Sequence, residues 1–124
     1  GKIVLCDRFV DSSIVYQGLG RGLDPQAIIK VNLFATQGLT PHLTILLDLT
    51  PEEGLARLVK RNREEHQELD RLEQESLDFY RKVRQGYLDL VKENPARFEV
   101  IEASDSIENI NRQIIAALSR HFSL

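Results

Sequence analysis

Three short apolar runs, each followed by a long stretch with helical periodicity, constrain the fold of this chain more than any other feature. The runs lie at residues 3–6, 43–48 and 98–101. Continuous apolar runs of this length are typical of strands that are buried on both faces of a parallel sheet. Helices are the usual connections between successive parallel strands. The sequence therefore predicts an α/β fold, a parallel sheet with flanking helices, and argues against a helical bundle.

Capping residues indicate where the predicted helices begin. Asp24 precedes Pro25, and Thr50 and Glu53 have the spacing of a capping box around Pro51. The apolar positions expected to face the core are Ile28, Val31, Phe34 and Ala35 in the first helix, Leu55, Leu58 and Val59 in the second, Tyr80, Val83, Tyr87, Leu90 and Val91 in the third, and Ile107, Ile110, Ile114 and Leu118 in the last.

Two other regions are predicted to face solvent. Residues 18–22 read Gly-Leu-Gly-Arg-Gly. Since they do not directly follow a strand, they lack the context of a dinucleotide-binding loop and are predicted to form a flexible connector. Arg81 and Arg84 are expected on the outer face of the third helix.

Composition narrows the class of protein. The chain has 124 residues and a net charge of −3, the size of one domain without the broad basic face of a nucleic-acid binder. No apolar run approaches the roughly 20 residues that a membrane span needs. The single cysteine, Cys6, lies in the first apolar run and is predicted to be a buried, inert thiol. Its lack of a disulfide partner favours a cytoplasmic protein. The net charge and the lack of a long apolar run favour one that binds neither nucleic acid nor membrane.

Asp7 and Arg8 follow the first predicted strand, and ligands of open α/β sheets bind outside the carboxyl ends of strands. A carboxylate there could hold a magnesium-bound water, and a guanidinium could grip phosphate oxygens with two N–H groups. The alternative is that Asp7 and Arg8 form a structural ion pair and that Ser12 only caps a helix.

The residues around this pair resemble a known family. Asp7-Arg8-Phe9 is similar to the Asp-Arg-(Tyr/Phe/His) motif of thymidylate kinases, and residues 12–18, Ser-Ser-Ile-Val-Tyr-Gln-Gly, resemble the nucleoside-binding segment that follows it. Residues 70–73, Asp-Arg-Leu-Glu, resemble the end of the family's lid. The resemblance extends over nearly all of the chain and implies part of a P-loop nucleoside-monophosphate-kinase fold.

The resemblance also implies roles for individual residues. Arg8 would grip the acceptor phosphate, and Asp7 would place magnesium through its water shell. Ser13 and Gln17 would hydrogen-bond the thymine edge, and Tyr16 would line the nucleoside pocket. The implied substrate-binding set is Arg8, Phe9, Ser12, Ser13, Tyr16 and Gln17.

Residues 61–75 carry both signs of charge and almost no large apolar side chains. The pattern alone fits a solvated helix surface or a loose loop, whereas the resemblance implies the lid that closes over ATP. Phosphoryl transfer needs cations near the transferring phosphate. Arg61, Arg63 and Arg71 are therefore the candidate catalytic arginines of the lid, in addition to Asp7 and Arg8.

One departure from the family is large. No stretch of the chain matches G-x-x-x-x-G-K-[ST], the loop that cradles ATP phosphates. The chain also contains no Met. In such kinases the strand before that loop lies between the strands that match residues 2–6 and 43–48. We therefore expect residues 1–124 to be the C-terminal part of a single thymidylate kinase-like domain that lacks its N-terminal strands, inactive alone and homodimeric in the full-length protein.

The function predicted for the complete protein is phosphoryl transfer from ATP to dTMP, giving dTDP, with Mg²⁺. A noncatalytic nucleotide-binding or assembly module on the same scaffold is the alternative. Another phosphotransferase is a third hypothesis, but the Ser-Ser-x-x-Tyr-Gln continuation disfavours deoxynucleoside kinases.

Overall fold

A computed structural model describes residues 2–65 and 75–122 of the chain. The elements are α1 (Val10–Ser13), a π-helix (Ile14–Gly20), α2 (Pro25–Thr36), β1 (Thr44–Asp48), α3 (Pro51–Glu65), α4 (Leu77–Glu93), β2 (Phe98–Glu102) and α5 (Ile107–Phe122). Within the described residues the sheet consists of β1 and β2, which are parallel. The predicted α/β fold, a parallel sheet with flanking helices, is confirmed.

The two strands run in register from Thr44 opposite Phe98 to Asp48 opposite Glu102. The predicted strands at residues 43–48 and 98–101 are therefore confirmed, with a shift of one residue at one end of each. Helices α3 and α4 connect them and contact each other, and α5 packs against β2. Thr44 and Arg97 consequently lie together at the amino ends of the strands.

The predicted strand at residues 3–6 is wrong. These residues have no strand pairing, and Val4 and Leu5 are 83% and 86% exposed. In the described part of the chain no strand lies beside them, so their backbone groups lack the ladder that makes an apolar run into a buried strand. The prediction of a buried thiol fails for the same reason, because Cys6 is exposed.

The best-packed part of the molecule lies between the π-helix and α4. Val15 is fully buried against Phe79 and Val83, and the half-buried side chains Tyr16, Tyr80, Tyr87 and Leu90 pack around them. The predicted packing role of Tyr80 and Tyr87 is confirmed.

Two glycines permit this close approach. A Cβ atom at Gly20 would lie 2.8 Å from Phe79 Cε2, and one at Gly86 would lie 2.6 Å from Leu19 Cδ1. Gly18 is buried as well. The prediction that residues 18–22 form a flexible connector is therefore wrong for residues 18–20, which belong to a packed helix, while Arg21 and Gly22 form an exposed turn.

The predicted caps are confirmed. Asp24 Oδ1 accepts a hydrogen bond from the Gln26 amide at 3.0 Å. Thr50 Oγ1 accepts from the Glu53 amide at 3.3 Å and donates to Glu53 Oε2 at 2.6 Å. Local sequence therefore determines where α2 and α3 begin.

Several positions that were expected in the core are exposed. Phe34 is 89% exposed, and Val31, Ala35, Val59 and Ile107 are also exposed. Helix α2 contacts α1 and the π-helix, and no described element covers the face that carries Val31 and Phe34. Helical periodicity shows that a face is apolar but does not specify what covers it.

Candidate functional site

The segment from Arg8 to Arg21 folds around a cavity of about 400 Å³. Its lining consists of Arg8, Phe9, Ser12, Ser13, Tyr16, Gln17 and Arg21. The structure thus brings together all six residues of the predicted substrate-binding set, which lie on α1, on the π-helix and just before them. The π-helix is closed by the Arg21 amide, which donates to the Tyr16 carbonyl at 3.0 Å. Such turns are rare and frequently occur at functional sites.

Arg8 has an unusual backbone. Its φ of 66° lies in the left-handed region, where a residue with a side chain is strained by about 1–3 kcal/mol. Its guanidinium carbon lies 4.3 Å from the centre of the Tyr16 ring. A guanidinium that stacks on an aromatic face still presents its planar edge of N–H donors to an anion. Arg8 is therefore placed for bidentate contact with an oxyanion in the cavity.

The two serines of the segment are held from different sides. Ser12 Oγ and Tyr87 Oη share a hydrogen bond of 2.8 Å. Ser13 Oγ lies 3.3 Å from two acceptors, Asn32 Oδ1 and the Val10 carbonyl, and can donate its one proton to either, while Asn32 Nδ2 donates to the Val10 carbonyl at 3.3 Å. Since the Ser13 hydroxyl proton is directed into the protein, the oxygen offers its lone pairs to a ligand. Ser12 is not a cap, because the N-cap of α1 is Phe9.

Aromatic rings form the floor below these groups. Tyr16 meets Phe79 and Tyr87 edge to face, with ring centroids 6.0 Å and 6.4 Å apart. Burial is the main cause that raises the pKa of Tyr87, so its hydroxyl stays protonated and remains a hydrogen-bond partner for Ser12. The floor of the cavity is therefore aromatic.

Arg21 is a lining residue that the sequence did not reveal, since it lies among the glycines. Its Nη2 is 2.8 Å from Glu75 Oε1, and its guanidinium carbon is 5.7 Å from the centre of the Phe79 ring. Gln17 is exposed at the rim, and Phe9 is half-buried. The cavity therefore carries two guanidinium groups and several neutral polar ones.

The other predicted site residues lie elsewhere. Asp7 is exposed, precedes Arg8 and is not part of the lining, and it forms no ion pair with Arg8 among the described residues. Arg61 and Arg63 are exposed in the last turns of α3 and do not line the cavity. Arg71 and the 70–73 motif lie outside the described residues. Of the predicted lid, residues 61–65 are helical, and residues 66–74 lie outside the described part.

Sequence reasoning missed a buried polar cluster beside the cavity. Arg97 Nη1 and Nη2 donate to Asp11 Oδ2 and Oδ1 at 2.8 Å and 2.9 Å, and Thr44 Oγ1 donates to Asp11 Oδ2 at 3.0 Å. The Arg97 guanidinium also lies 4.5 Å above the Phe98 ring. The partners are 86 positions apart, and neither belongs to a motif, so no sequence signal predicted the pair.

A second ion pair lies at the carboxyl end of β1. Arg84 Nε and Nη2 each donate to a carboxylate oxygen of Asp48 at 2.8 Å. These hydrogen bonds hold the pKa of Asp48 below its usual value and raise that of Arg84. The pair borders a cavity of about 340 Å³ that is lined mainly by aliphatic side chains, together with Tyr16, Tyr80 and Tyr87. The prediction that Arg84 lies on the solvated outer face is wrong.

Two classes of site were also sought. Within residues 2–65 and 75–122, no three His, Cys, Asp or Glu side chains are grouped so that they could bind a metal ion. None of the helices in the same part of the chain has the length and apolar character that a membrane crossing requires.

Comparison with known proteins identifies the family. The family model for thymidylate kinase matches residues 1–114. The chain belongs to the thymidylate kinase family. It is 50% identical over 119 residues to the thymidylate kinase of Latilactobacillus sakei subsp. sakei strain 23K, covering 96% of this chain and 54% of that protein. It is 49% identical over 121 residues to the thymidylate kinase of Thermoanaerobacter sp. strain X514, covering 98% and 57%.

A solved structure of the family shares the fold. The crystal structure of thymidylate kinase from Ehrlichia chaffeensis superposes with a TM-score of 0.66 at 32% identity, covering 95% of this chain and 51% of that one. The chain thus spans about half the length of the curated relatives it matches. The resemblance that the motifs around Arg8 indicated is confirmed.

Proposed function

We propose that this chain forms the phosphate-acceptor side of a kinase that transfers a phosphoryl group from ATP to dTMP, giving dTDP. The observation that supports it best is that Arg8, Phe9, Ser12, Ser13, Tyr16 and Gln17 all line the same cavity. A cavity of about 400 Å³ is within the range of sites for small molecules. Because the 124 residues contain no phosphate loop, residues outside them would bind the phosphates of ATP.

The proposed mechanism depends on position and charge. Phosphoryl transfer needs little covalent chemistry from the protein, so alignment of the two oxygens and neutralisation of spreading negative charge contribute most of the rate. The Arg8 guanidinium, stacked on Tyr16, would hold the dTMP phosphate with paired N–H donors. Its strained backbone suits a residue that is fixed in place before the substrate arrives.

Base recognition is assigned to Ser13 and Gln17. Since the proton of the Ser13 hydroxyl points to Asn32 or the Val10 carbonyl, its oxygen would accept the N3–H of thymine. The Gln17 amide can both donate and accept, and it lies at the rim of the same cavity. Tyr16 would pack against the nucleoside.

A magnesium ion could be held here by a single carboxylate. Mg²⁺ keeps several waters and binds through one or two carboxylates together with substrate phosphates. Asp7 is an exposed carboxylate directly before Arg8, so it would hold the ion's water shell. The ion would supply neutralisation of phosphate charge, and Arg61, Arg63 and Arg71 are the proposed cations of the lid.

For the complete protein we propose a cytoplasmic homodimer with neither nucleic acid nor membrane as a partner. The apolar face of α2 supports dimerisation, because Val31 and Phe34 are exposed and a face of this kind is usually covered in an assembly.

A coupled assay of ADP release with ATP and dTMP tests the proposal. The chain alone should give no turnover, whereas the chain with an added polypeptide that carries the family's phosphate loop should turn over dTMP. Arg8→Ala in that mixture should lower kcat/KM more than tenfold, whereas Arg81→Ala, a matched arginine on α4, should leave it nearly unchanged. Turnover by the chain alone contradicts the proposal. Binding of dTMP without turnover in the mixture supports the noncatalytic module instead.

A further inference from the structure

The cluster of Asp11, Arg97 and Thr44 adjoins the segment that lines the cavity, and Asp11 is buried while the other two are half-buried. Asp11 is 5% exposed and sits between Phe9 and Ser12, which both line the cavity, although Asp11 itself does not. Its carboxylate accepts three hydrogen bonds, two from Arg97 and one from Thr44. An ionised carboxylate satisfied in this way is fixed in position.

The partners of Asp11 are themselves fixed. Thr44 is the first residue of β1, and Arg97 precedes the first residue of β2. The Thr44 amide donates to the Arg97 carbonyl at 2.8 Å, and Arg97 Nη1 donates to Thr44 Oγ1 at 2.8 Å. The guanidinium also stacks over the Phe98 ring. Asp11 therefore connects α1 to the part of the sheet where both strands begin.

Helix α1 depends on such connections for its orientation. It has four residues and continues directly into the π-helix, which anchors its carboxyl end, whereas residues 2–6 before its amino end pair with no strand. Side chains attach it on three sides: Asp11 to the sheet, Ser12 to Tyr87 on α4, and Ser13 to Asn32 on α2. The Asp11 connection is the charged and most buried of the three.

We propose that Asp11 and Arg97 are positioning residues for the nucleotide-acceptor site. They hold the turn that carries Arg8, Ser12 and Ser13 at the angle at which all three face the cavity. The inference rests on the proposed function, since it assigns those three side chains to dTMP. A purely structural ion pair would lower stability when it is broken but would leave the binding of nucleotide to the folded protein unchanged.

The test is Asp11→Asn in the 124-residue chain, with Asp48→Asn as the matched control. Asparagine keeps the size of the side chain but turns one N–H group towards the guanidinium. Asp48→Asn makes the same change in the ion pair at the carboxyl end of β1, where the partner, Arg84, lies on α4 and not on α1. Thr44→Val is a milder variant that keeps the ion pair and serves if Asp11→Asn fails to fold.

Amide hydrogen exchange is the first readout and needs no ligand. Asp11→Asn should speed exchange at Ser12, whose amide donates to the Phe9 carbonyl at 3.0 Å, by more than tenfold relative to Val83 in α4. Thr44→Val should act in the same direction by a smaller factor. Asp48→Asn should not change the ratio. Exchange that rises equally at both positions in Asp11→Asn overturns the proposal.

Titration by NMR at a temperature where each variant is folded gives the second readout. Asp11→Asn should weaken dTMP and thymidine alike, by about tenfold, because the phosphate contact and the base contacts are displaced together. Unchanged affinity for both overturns the positioning role. If the unaltered chain binds neither compound, the proposed function fails, while the exchange ratio still decides whether Asp11 positions α1.

Discussion

The two ends of the parallel sheet each carry a bidentate Asp–Arg ion pair, and the two pairs have different surroundings. At the amino ends of the strands, Asp11 and Arg97 have side chains that are 7% and 21% exposed. At the carboxyl end of β1, Asp48 and Arg84 are 20% and 38% exposed. Both pairs are bidentate with distances of 2.8–2.9 Å. The pairs differ in burial, in the elements joined and in the donor atoms, which are Nη1 and Nη2 of Arg97 but Nε and Nη2 of Arg84.

The difference separates a pair that orients a site from a pair that attaches a helix. Asp11–Arg97 connects the cavity-lining turn to the sheet and receives an additional hydrogen bond from Thr44. Asp48–Arg84 connects β1 to α4 next to an aliphatic cavity. Breaking a buried pair leaves a charge without a partner, whereas a more exposed pair can recruit water. The same two residue types therefore have unequal consequences when altered.

The largest loss of stability is expected from Arg97→Ala. The substitution leaves the Asp11 carboxylate buried without its guanidinium, which costs about 3–5 kcal/mol of the free energy of unfolding. Denaturation by urea, followed by circular dichroism, measures the loss. Arg81→Ala is the control, because Arg81 pairs with Glu52 on the exposed surface, and its loss should be much smaller. Equal losses for the two variants would remove the distinction between buried and exposed pairs.

Arg84→Ala should have an intermediate effect. Two charge-assisted hydrogen bonds are lost, but partial exposure lets water replace part of them, so we expect a loss of about 1–2 kcal/mol. Urea denaturation of Arg84→Ala, Asp48→Asn and the double variant isolates the energy of the pair itself. A loss in Arg84→Ala as large as that in Arg97→Ala would show that exposure does not set the order.

The smallest effect is a change in pH dependence at the carboxyl end. Arg84 holds the pKa of Asp48 below its usual value in the folded state. The stabilisation is therefore complete above the unfolded-state pKa of about 3.9 and is lost as the pH falls through the lower folded-state value. Asp48→Asn should flatten this part of a plot of melting temperature between about pH 5 and pH 3. An identical slope in the variant would contradict the assignment.

Local signals explain what the sequence could predict. Asp24 and Thr50 cap helices through contacts within three residues. The short apolar runs that form β1 and β2 pair with each other in the sheet. The grouping of the six residues proposed to bind substrate was predictable, because residues 8–17 are contiguous and match a family motif. One segment folded around one cavity keeps such residues together.

Contacts between distant segments explain the failures. The run at residues 3–6 has strand composition, but a strand also needs a neighbour, and none lies beside it in the described part of the chain. Arg97 and Asp11 pair across 86 positions, and Arg21 lines the cavity directly after the π-helix, which packs against Phe79 at Gly20. No local sequence pattern predicts any of these outcomes.

The central claim is that the cavity around Arg8 binds the phosphate and the base of dTMP. NMR titration of the 124-residue chain with dTMP and with thymidine tests it most directly. The account predicts chemical-shift changes concentrated at residues 8–21. It also predicts that Arg8→Ala weakens dTMP more than tenfold while leaving thymidine unchanged, since a charge-assisted contact to phosphate contributes about 1.5–3 kcal/mol. Equal affinity of the Arg8→Ala variant and the unaltered chain for dTMP would contradict it.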